Sequence, residues 1–479
     1  KVNFLKNYKH YLIALILLLL IKFCVPAANG LTDLGVNILA LMVPILYLWL
    51  TIGTDWVSLL ALAGVAISGA MTPNAVYAGS LGNSTIMIII SCMVLNAVLA
   101  ETGVIKHLAS WFLTRNIVKG RPYVFMAMFL LGVTLIGLVM NVTTMCVTFI
   151  AFVVGICDEI GYKKGTPFYT ALILGLFWMS NVTNGASPIS HSLPLLMIGT
   201  AKGAGIEISY SQYLAIGLPF TAVMYVLAVV VICLIWKPNA DLFKNYDVEA
   251  AKARREPLSK AGIIASVVFI IVVLTWIIPD LFPTLLPAPV QSALKTWGPT
   301  IPTIIGASFL CIVKVDNKPV GSFPKMIKSV PLSLLIFCGA VVVFGSIFNA
   351  EDAGISVALN NVLTPITSNL SPFILCAIAY FLCLVLTNFV SNTVAMILFF
   401  TICIPALAGT SVSTVAVTIT LCIIANFASL VPSAAVTAPL FFGDGHITVK
   451  NALKWNLVMI GLAFLVSIFI VYPLGNLLL

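Results

Sequence analysis

Two short clusters of Asn and Thr interrupt strongly apolar stretches in corresponding places of the two halves of the chain. The first, from Asn141 to Thr144, reads NVTT, and the second, from Ser391 to Thr393, reads SNT. Amides and hydroxyls in apolar surroundings are costly unless they are hydrogen bonded or serve a function. Matching interruptions of this kind are typical of a binding site near the bilayer midplane of a repeat-built transporter.

Each cluster is followed by a stretch that is expected to interrupt a helix. Ser180–Pro188 reads SNVTNGASP, and Ala425–Ser433 reads ANFASLVPS. Pro removes a backbone donor and breaks helices, while Gly and Ser permit the backbone to unwind. We expect two chain turns and two unwound segments to converge, where free N–H groups at helix N-termini attract an anion. Because these segments contain no Lys or Arg, uncharged donors would bind it.

The composition requires a membrane to accommodate these elements. Hydrophobic residues make up 61% of the chain, charged residues 8%, and the mean hydropathy is +1.14, whereas soluble domains carry about 25% charged residues. We predict an all-α, multi-pass protein of the cell membrane with about 11 transmembrane helices and two re-entrant hairpins. Its partner is the lipid bilayer, and the net charge of +9 does not indicate nucleic acid.

The basic residues predict the orientation. With a cytoplasmic N-terminus, and with 123–157 and 372–408 each entering and leaving on one side, the cytoplasmic segments hold nearly all of the 24 Lys and Arg. The exceptions are Lys22, Lys202 and Lys295. This distribution follows the positive-inside rule and places the C-terminus outside. The two hairpins then open to opposite sides, which is an inverted repeat.

On these residues the chain resembles the divalent anion/sodium symporter family, which includes the INDY dicarboxylate carrier. The resemblance covers most of the chain and rests on the two motifs, the unwound segments and the lead-ins Glu101–Val104 and Glu351–Ile355. It implies an elevator-type homodimer, in which a scaffold holds the dimer and a transport domain carries the hairpins across the membrane. The implied substrates are di- and tricarboxylates such as malate, succinate, fumarate, 2-oxoglutarate or citrate.

This resemblance divides the chain into units. They are scaffold spans at 1–110, the first hairpin and unwound helix at 111–211, a span at 212–236, a cytoplasmic linker at 237–260, scaffold spans at 261–360, the second hairpin and unwound helix at 361–445, and a last span at 446–479.

Sodium-coupled members of the family hold one sodium ion beside each hairpin tip. When Asn141 is aligned with the motif's Asn, Met140 replaces Ser and Val142 replaces Thr. Met is a poor ligand for sodium and Val provides none, which leaves a sodium site only near Ser391 and Asn392. His191 is interpreted either as a structural residue or as a substitute for the missing cation. We expect no other cofactor.

The expected substrate-binding residues come from the two tips and the two breaks. They are Asn141, Val142, Thr143, Ser187, Pro188, Ser391, Asn392, Thr393, Pro432 and Ser433. We predict a secondary transporter, not an enzyme, that exchanges 2-oxoglutarate, malate, succinate or fumarate by an elevator mechanism without sodium.

Other functions remain open at this point. A sodium-coupled di- or tricarboxylate symporter would differ in its ion dependence. A cation/proton antiporter or an arsenite-type carrier on a similar hairpin fold would usually need an intramembrane carboxylate, and the hairpins contain none. An anion channel would use the same neutral donors, and a membrane enzyme would need a catalytic set that is not visible.

Overall fold

The computed structural model describes residues 4–282, 284–348, 350–367, 370–432, 434–435, 437–443 and 445–479, and the described chain is predominantly helical. The helices of the first half are α1 (Phe4–Cys24), α2 (Asp33–Thr51), α3 (Asp55–Ser68), α4 (Pro73–Gly79), α5 (Ser84–Glu101), α6 (Val104–Leu113), α7 (Pro122–Gly137), α8 (Val142–Ile160), α9 (Pro167–Ala186), α10 (Ser192–Gly203), α11 (Tyr210–Val229) and α12 (Val248–Ala253).

The second half begins after the linker. Its helices are α13 (Lys260–Leu281), α14 (Ala288–Trp297), α15 (Thr300–Ile312), α16 (Phe323–Lys328), α17 (Leu332–Phe348), α18 (Ile355–Thr367), α19 (Pro372–Thr387), α20 (Asn392–Ala406), α21 (Thr414–Ala425), α22 (Ala438–Phe442), α23 (Val449–Val466) and α24 (Tyr472–Leu478). Short strands β1 (Lys314–Val315) and β2 (Lys318–Pro319) pair antiparallel around a tight turn. Short 3₁₀ turns cover Asn116–Val118, Asp241–Asn245 and Glu351–Ala353, and π-helical turns cover Val230–Trp236 and Ser467–Val471.

Six helical stretches among the described residues are long and apolar enough to cross a membrane. They are Asp33–Thr51, Pro73–Glu101, Val142–Ile160, Tyr210–Trp236, Lys260–Leu281 and Val449–Leu478. A span needs roughly 20 apolar residues because the helix rises about 1.5 Å per residue. Further apolar helices of 10–17 residues lie among them. The helices therefore agree with a multi-pass membrane protein.

The first hairpin, α7 and α8, begins and ends at the same end of the molecule. Tyr123, at the start of α7, donates its hydroxyl to the carbonyl oxygen of Pro238 at 3.2 Å. Tyr162, just after α8, lies 3.4 Å from the carbonyl oxygen of Asn239. Both partners belong to the linker, so this is the basic end of the molecule that the sequence predicts to be cytoplasmic.

The last helical stretch connects this end to the opposite one. Trp455 in α23 stacks on Trp236 beside the linker, with ring centroids 4.8 Å apart. Trp455 lies near the start of the helical stretch Val449–Leu478, and the chain from Trp455 to Leu478 rises about 35 Å at 1.5 Å per residue. The C-terminal helix α24 therefore lies at the end away from the linker.

The second hairpin, α19 and α20, opens at this far end. Phe373, at the start of α19, packs edge-on against Tyr472 of α24 at 5.4 Å. Ser413, after α20, donates its backbone N–H to Asn476 Oδ1 at 2.8 Å. The two hairpins thus enter from opposite ends, as the predicted inverted repeat requires.

The lead-in to each hairpin repeats the same backbone turn. Gly103 precedes α6 with φ +76°, and Gly354 precedes α18 with φ +66°. Glycine occupies this left-handed region without steric cost. A Cβ at Gly354 would lie 1.9 Å from the carbonyl oxygen of Gly30, so this position also needs the small residue for packing.

The two halves meet along α9 and α21. Nearly all side chains of α9 are buried, and Trp178 and Phe177 are fully enclosed. A Cβ at Gly185 would lie 2.9 Å from both the Cα and the carbonyl oxygen of Ile423. Since these are backbone atoms, no rotamer change can relieve the contact, and the missing side chain at Gly185 allows the halves to approach this closely.

Replacing Gly185 with Ala should therefore destabilise the protein, although Ala favours helix. We expect a loss of about 1–3 kcal/mol, typical of overpacking, measured as a lower midpoint of thermal unfolding in detergent. Gly461→Ala in α23 is the matched control, because its Cβ would contact nothing within 4 Å. Equal midpoints for the two variants would contradict the close approach of α9 and α21.

Candidate functional site

The two hairpin tips have the same backbone geometry. α7 and α19 each span 16 residues, and each starts with a Pro. The residue before the second helix is Asn141 in one hairpin (φ −54°, ψ 120°) and Ser391 in the other (φ −55°, ψ 128°). Asn141 therefore corresponds to Ser391, and Val142 corresponds to Asn392. This corrects the alignment by one residue: the first tip keeps a polar residue at its cap but lacks the motif's central Asn.

The two tips differ in how they satisfy their helix N-termini. Asn141 Oδ1 accepts hydrogen bonds from the backbone N–H of Thr144 at 3.1 Å and from its hydroxyl at 3.3 Å. Ser391 makes no such side-chain cap on α20. Uncapped N–H groups in a first helical turn attract anions. The second tip therefore offers the better anion-binding N-terminus.

The second tip is bound to the second break, which begins at Asn426 where α21 ends. Asn388 is fully buried, and its Oδ1 accepts hydrogen bonds from the backbone N–H groups of Ser429 at 2.9 Å and Leu430 at 3.0 Å. Thr387 Oγ1 lies 3.0 Å from Asn392 Oδ1 and also contacts the carbonyl oxygen of Ala425. Polar side chains of the hairpin therefore replace the backbone partners that the unwound segment has lost.

The same break is bound to α9 from the other half. Asn181 Nδ2 donates to the carbonyl oxygen of Ala428 at 3.1 Å. Asn184 Nδ2 donates to Asn426 Oδ1 at 3.0 Å. These amide contacts join the two halves directly at the point where α21 ends.

A third helix, α23, completes this network. Asn456 Nδ2 donates to the carbonyl oxygen of Ser429 at 2.5 Å, and its Oδ1 accepts from Trp178 Nε1 at 2.7 Å. Asn456 is fully buried. Side-chain amides from three elements therefore hold the second break in one conformation.

The first break is shorter than the sequence predicts. The segment 180–186 remains helical as the end of α9, and only residues 187–191 are unwound. Packing explains the difference: Gly185 fits against Ile423, and Tyr213 donates its hydroxyl to the Gly185 carbonyl oxygen at 2.7 Å. Ser187 Oγ then accepts from the N–H of Ile189 at 3.2 Å and closes the turn.

His191 caps the helix that follows this break. Its Nδ1 accepts a hydrogen bond from the backbone N–H of Leu193 at 3.1 Å. An imidazole nitrogen that accepts a hydrogen bond carries no proton, so the ring is neutral with its proton on Nε2. This geometry argues against the predicted role as a substitute cation and makes His191 an uncharged donor.

The first tip approaches α9 next to Asn184. A Cβ at Gly137 would lie 2.5 Å from Thr183 Oγ1, and Thr183 precedes Asn184 in the chain. Both tips are thus connected to the same stretch of α9, one by close packing at Thr183 and the other through Asn426 and the second break.

Two buried polar atoms in this region have no hydrogen-bond partner within the part of the chain that the structure describes. They are Asn184 Oδ1 and Ser429 Oγ. Unsatisfied buried polar atoms are rare in native proteins, and each needs an explanation such as a ligand. Both atoms belong to residues where the breaks meet the tips, so this is the candidate site.

The predicted site residues differ in exposure. Thr143, Ser391 and Pro432 are exposed, Asn141, Asn392 and His191 are half-buried, and Val142, Ser187, Pro188 and Thr393 are buried. Ser433 lies outside the described residues. Among the residues that the structure describes, no hydrogen bond joins the Asn141 cluster directly to the Ser391 cluster.

Three asparagines and one serine that form the candidate site are not among the site residues expected from the sequence, namely Asn184, Asn388, Asn456 and Ser429. Asn388 could have been found in the same way as Asn392, because both are polar residues within 353–443, a stretch that contains no Asp, Glu, Lys, Arg or His. Among the described residues no group of three or more His, Cys, Asp or Glu side chains is placed to hold a metal ion.

Comparison with known proteins identifies the family. Residues 38–425 match the family described as CitMHS, citrate transporter. The chain belongs to this citrate transporter family. A similar fold occurs in the crystal structure of the YdaH transporter from Alcanivorax borkumensis, described as having an unusual topology. Its TM-score is 0.58 at 12% identity, over 88% of this chain and 96% of that one. No curated protein matches the chain.

The family and the fold indicate a secondary transporter of citrate or carboxylate type in a multi-pass membrane protein. They support a transporter similar to the divalent anion/sodium symporters in the wide sense. They indicate no catalytic family.

Replacing Asn388 with Ala should destabilise the protein. The change strands the buried N–H groups of Ser429 and Leu430, each at a cost of about 1–3 kcal/mol. Asn96→Ala is the matched control: Asn96 is also buried, but its amide only donates to Cys92, and its Oδ1 has no partner among the described residues. Thermal unfolding should show a larger loss for Asn388→Ala. A larger loss for the control would contradict the role of Asn388.

Proposed function

We propose that this protein transports citrate and related small di- and tricarboxylates, and that it binds them where the two tips meet the two breaks. The observation that supports this site is the pair of buried, unpartnered atoms Asn184 Oδ1 and Ser429 Oγ. The Ser429 hydroxyl is able to donate to a carboxylate, and Asn184 Oδ1 is able to accept from a substrate hydroxyl or a protonated carboxyl group.

The anion would be held mainly at the second tip. The first turn of α20 lacks a side-chain cap, so its N–H groups and the positive end of its dipole are free to bind a carboxylate. The exposed Ser391 hydroxyl and the half-buried Asn392 amide lie at the same helix start. The exposed Thr143 hydroxyl and His191 Nε2 would provide donors from the first half.

Uncharged donors suit a carrier, which must also release its substrate. An Arg–carboxylate pair in this apolar region would bind more strongly because charge-assisted, bidentate hydrogen bonds are stronger than neutral ones. Neutral donors give modest affinity and permit release on the other side.

The movement that we propose is an elevator. The moving unit would contain α7–α10 and α19–α22, with α23 attached to it through Asn456. The spans at 1–110 and 261–360 would form a scaffold within a homodimer. The amide contacts of Asn181, Asn184 and Asn388 support this division, because they join α9 and the second hairpin to the second break. The close packing of Gly137 against Thr183 joins the first hairpin to α9.

For coupling we propose exchange of carboxylates without sodium. Val142, at the position of Asn392 in the first tip, supplies no side-chain oxygen, and Asn392 Oδ1 already lies 3.0 Å from Thr387 Oγ1. Sodium symport is the second candidate, since the exposed Ser391 hydroxyl makes no cap and is able to act as a ligand.

Uptake of labelled citrate into proteoliposomes tests the function and its coupling. We expect uptake by the wild-type protein when citrate or malate is inside, with little dependence on sodium. Asn392→Ala should reduce uptake to background, because it removes an amide at the anion-binding helix start. Asn451→Ala, an exposed Asn on α23, is the control and should transport normally.

These uptake experiments distinguish exchange from symport and test the proposed site and substrate class. Strong uptake into empty vesicles that depends on a sodium gradient would favour symport over exchange. Full activity of a correctly folded Asn392→Ala variant would remove the second tip from the site. No uptake of any di- or tricarboxylate by the wild-type protein would overturn the proposed substrate class.

A further inference from the structure

A cavity of about 380 Å³ opens at the basic end of the molecule, away from the tips and breaks. Its walls come from three elements: α6 with the residues that flank it, the C-terminal half of α8 and the linker. They include Lys106 and Ser110 on α6, Phe152 and Glu159 on α8, and Arg255 in the linker. The transport site uses none of these residues.

Hydrogen bonds fix the linker against the rest of the wall. His107 Nδ1 lies 3.0 Å from the carbonyl oxygen of Glu256, and because a carbonyl only accepts, Nδ1 donates. The Tyr246 hydroxyl donates to the carbonyl oxygen of Leu113 at 3.3 Å. The cavity is therefore bounded by anchored chain on each side.

The electrostatics of the cavity favour an anion. Arg254 and Glu159 form an ion pair at 2.8 Å and neutralise each other, and this pair raises the pKa of Arg254. Of the other charged side chains that line the cavity, Lys106 and Arg255 are positive and only Glu256 is negative. Among the described residues, neither Lys106 nor Arg255 is part of an ion pair.

A helix N-terminus contributes to the same wall. α6 starts at Val104, and its N-cap Gly103, which lines the cavity, has no side chain with which to cap it. Free N–H groups and the positive end of the helix dipole favour phosphate at such a position. With Lys106 and Arg255, the site provides both directed donors and charge.

The other side of the cavity is apolar and continues along α8. Val147, Ala151 and Gly155 lie four residues apart on one exposed face of this helix, and such positions form a row. A Cβ at Gly155 would contact nothing within 4 Å. Because α8 runs from the tip at Asn141 to the basic end, the row leads from the cavity towards membrane depth.

We propose that this cavity binds one anionic phospholipid. Its phosphate would lie between Lys106, Arg255 and the start of α6, and an acyl chain would follow Val147, Ala151 and Gly155. Basic pockets between helices on the cytoplasmic side commonly bind anionic head groups. The apolar row distinguishes a lipid from free phosphate, which has no use for it. This site is independent of the transported substrate.

Native mass spectrometry of the full-length protein, reconstituted in mixed phosphatidylcholine and phosphatidylglycerol nanodiscs, tests the proposal. We expect the wild-type protein to retain phosphatidylglycerol selectively. The double variant Lys106→Gln/Arg255→Gln should retain it at least about tenfold less, because it loses two basic groups near the membrane surface. Lys325→Gln/Lys328→Gln, which removes two exposed lysines of α16 outside the cavity, should behave as wild type.

A variant that changes the shape of the cavity but not its charge distinguishes lipid binding from phosphate binding. Gly155→Leu keeps every charge, and its Cβ would meet no atom within 4 Å. Its side chain would obstruct the apolar row, so phosphatidylglycerol retention should fall. Inorganic phosphate in pure phosphatidylcholine nanodiscs should leave the thermal unfolding midpoint unchanged.

Two outcomes would overturn the proposal. Equal retention by the wild-type protein and the Lys106→Gln/Arg255→Gln variant would show that the cavity is not the site. Unchanged retention by Gly155→Leu, together with stabilisation by inorganic phosphate alone, would show that the cavity binds phosphate rather than a lipid. Size-exclusion chromatography of each variant confirms that it is folded.

Discussion

The structure depends on how the unwound backbone near residue 429 is satisfied far from water. A broken helix leaves donors and acceptors without partners, and each one buried in an apolar environment costs several kcal/mol. Here Asn388, Asn181 and Asn456 provide the missing hydrogen bonds from three separate elements. The break is therefore a defined structure, and the same amides that satisfy it also join the two halves of the chain.

This arrangement leaves a small polar region that is not fully hydrogen bonded by the part of the chain that the structure describes. Asn184 Oδ1 and Ser429 Oγ are buried without partners among the residues described, beside a helix start at Ser391 that has no side-chain cap. In the proposed site, the Ser429 hydroxyl and the N–H groups at the start of α20 would donate to a carboxylate, and Asn184 Oδ1 would accept from a substrate hydroxyl or a protonated carboxyl group. These groups would orient the substrate through hydrogen bonds, without a fixed positive charge that would slow its release.

Much of the architecture was predictable from the sequence, because it depends on patterns that are local or additive. The predicted hairpins at 123–157 and 372–408 correspond closely to the helix pairs that begin at Pro122 and Pro372. The distribution of basic residues predicted that the two hairpins enter from opposite ends, because basic residues collect on one side of a membrane protein. The left-handed Gly103 and Gly354 also lie in the lead-ins that the sequence had matched.

The details of the site were not predictable, because they depend on partners distant in the chain. The segment 180–186 contains Asn and Gly and was expected to unwind, yet packing of Gly185 on Ile423 keeps it helical. The role of Asn388 depends on Ser429, 41 residues later. The neutral state of His191 depends on its contact with the Leu193 N–H.

We propose that the two tips contribute to one binding site. Cysteine labelling tests it most directly, with Thr143→Cys and Ser391→Cys made singly in a background without native cysteines. We expect citrate to slow maleimide labelling at both positions and to leave the labelling of Asn451→Cys on α23 unaffected. If citrate slows labelling at neither tip, or at only one of them, the result would contradict a shared site.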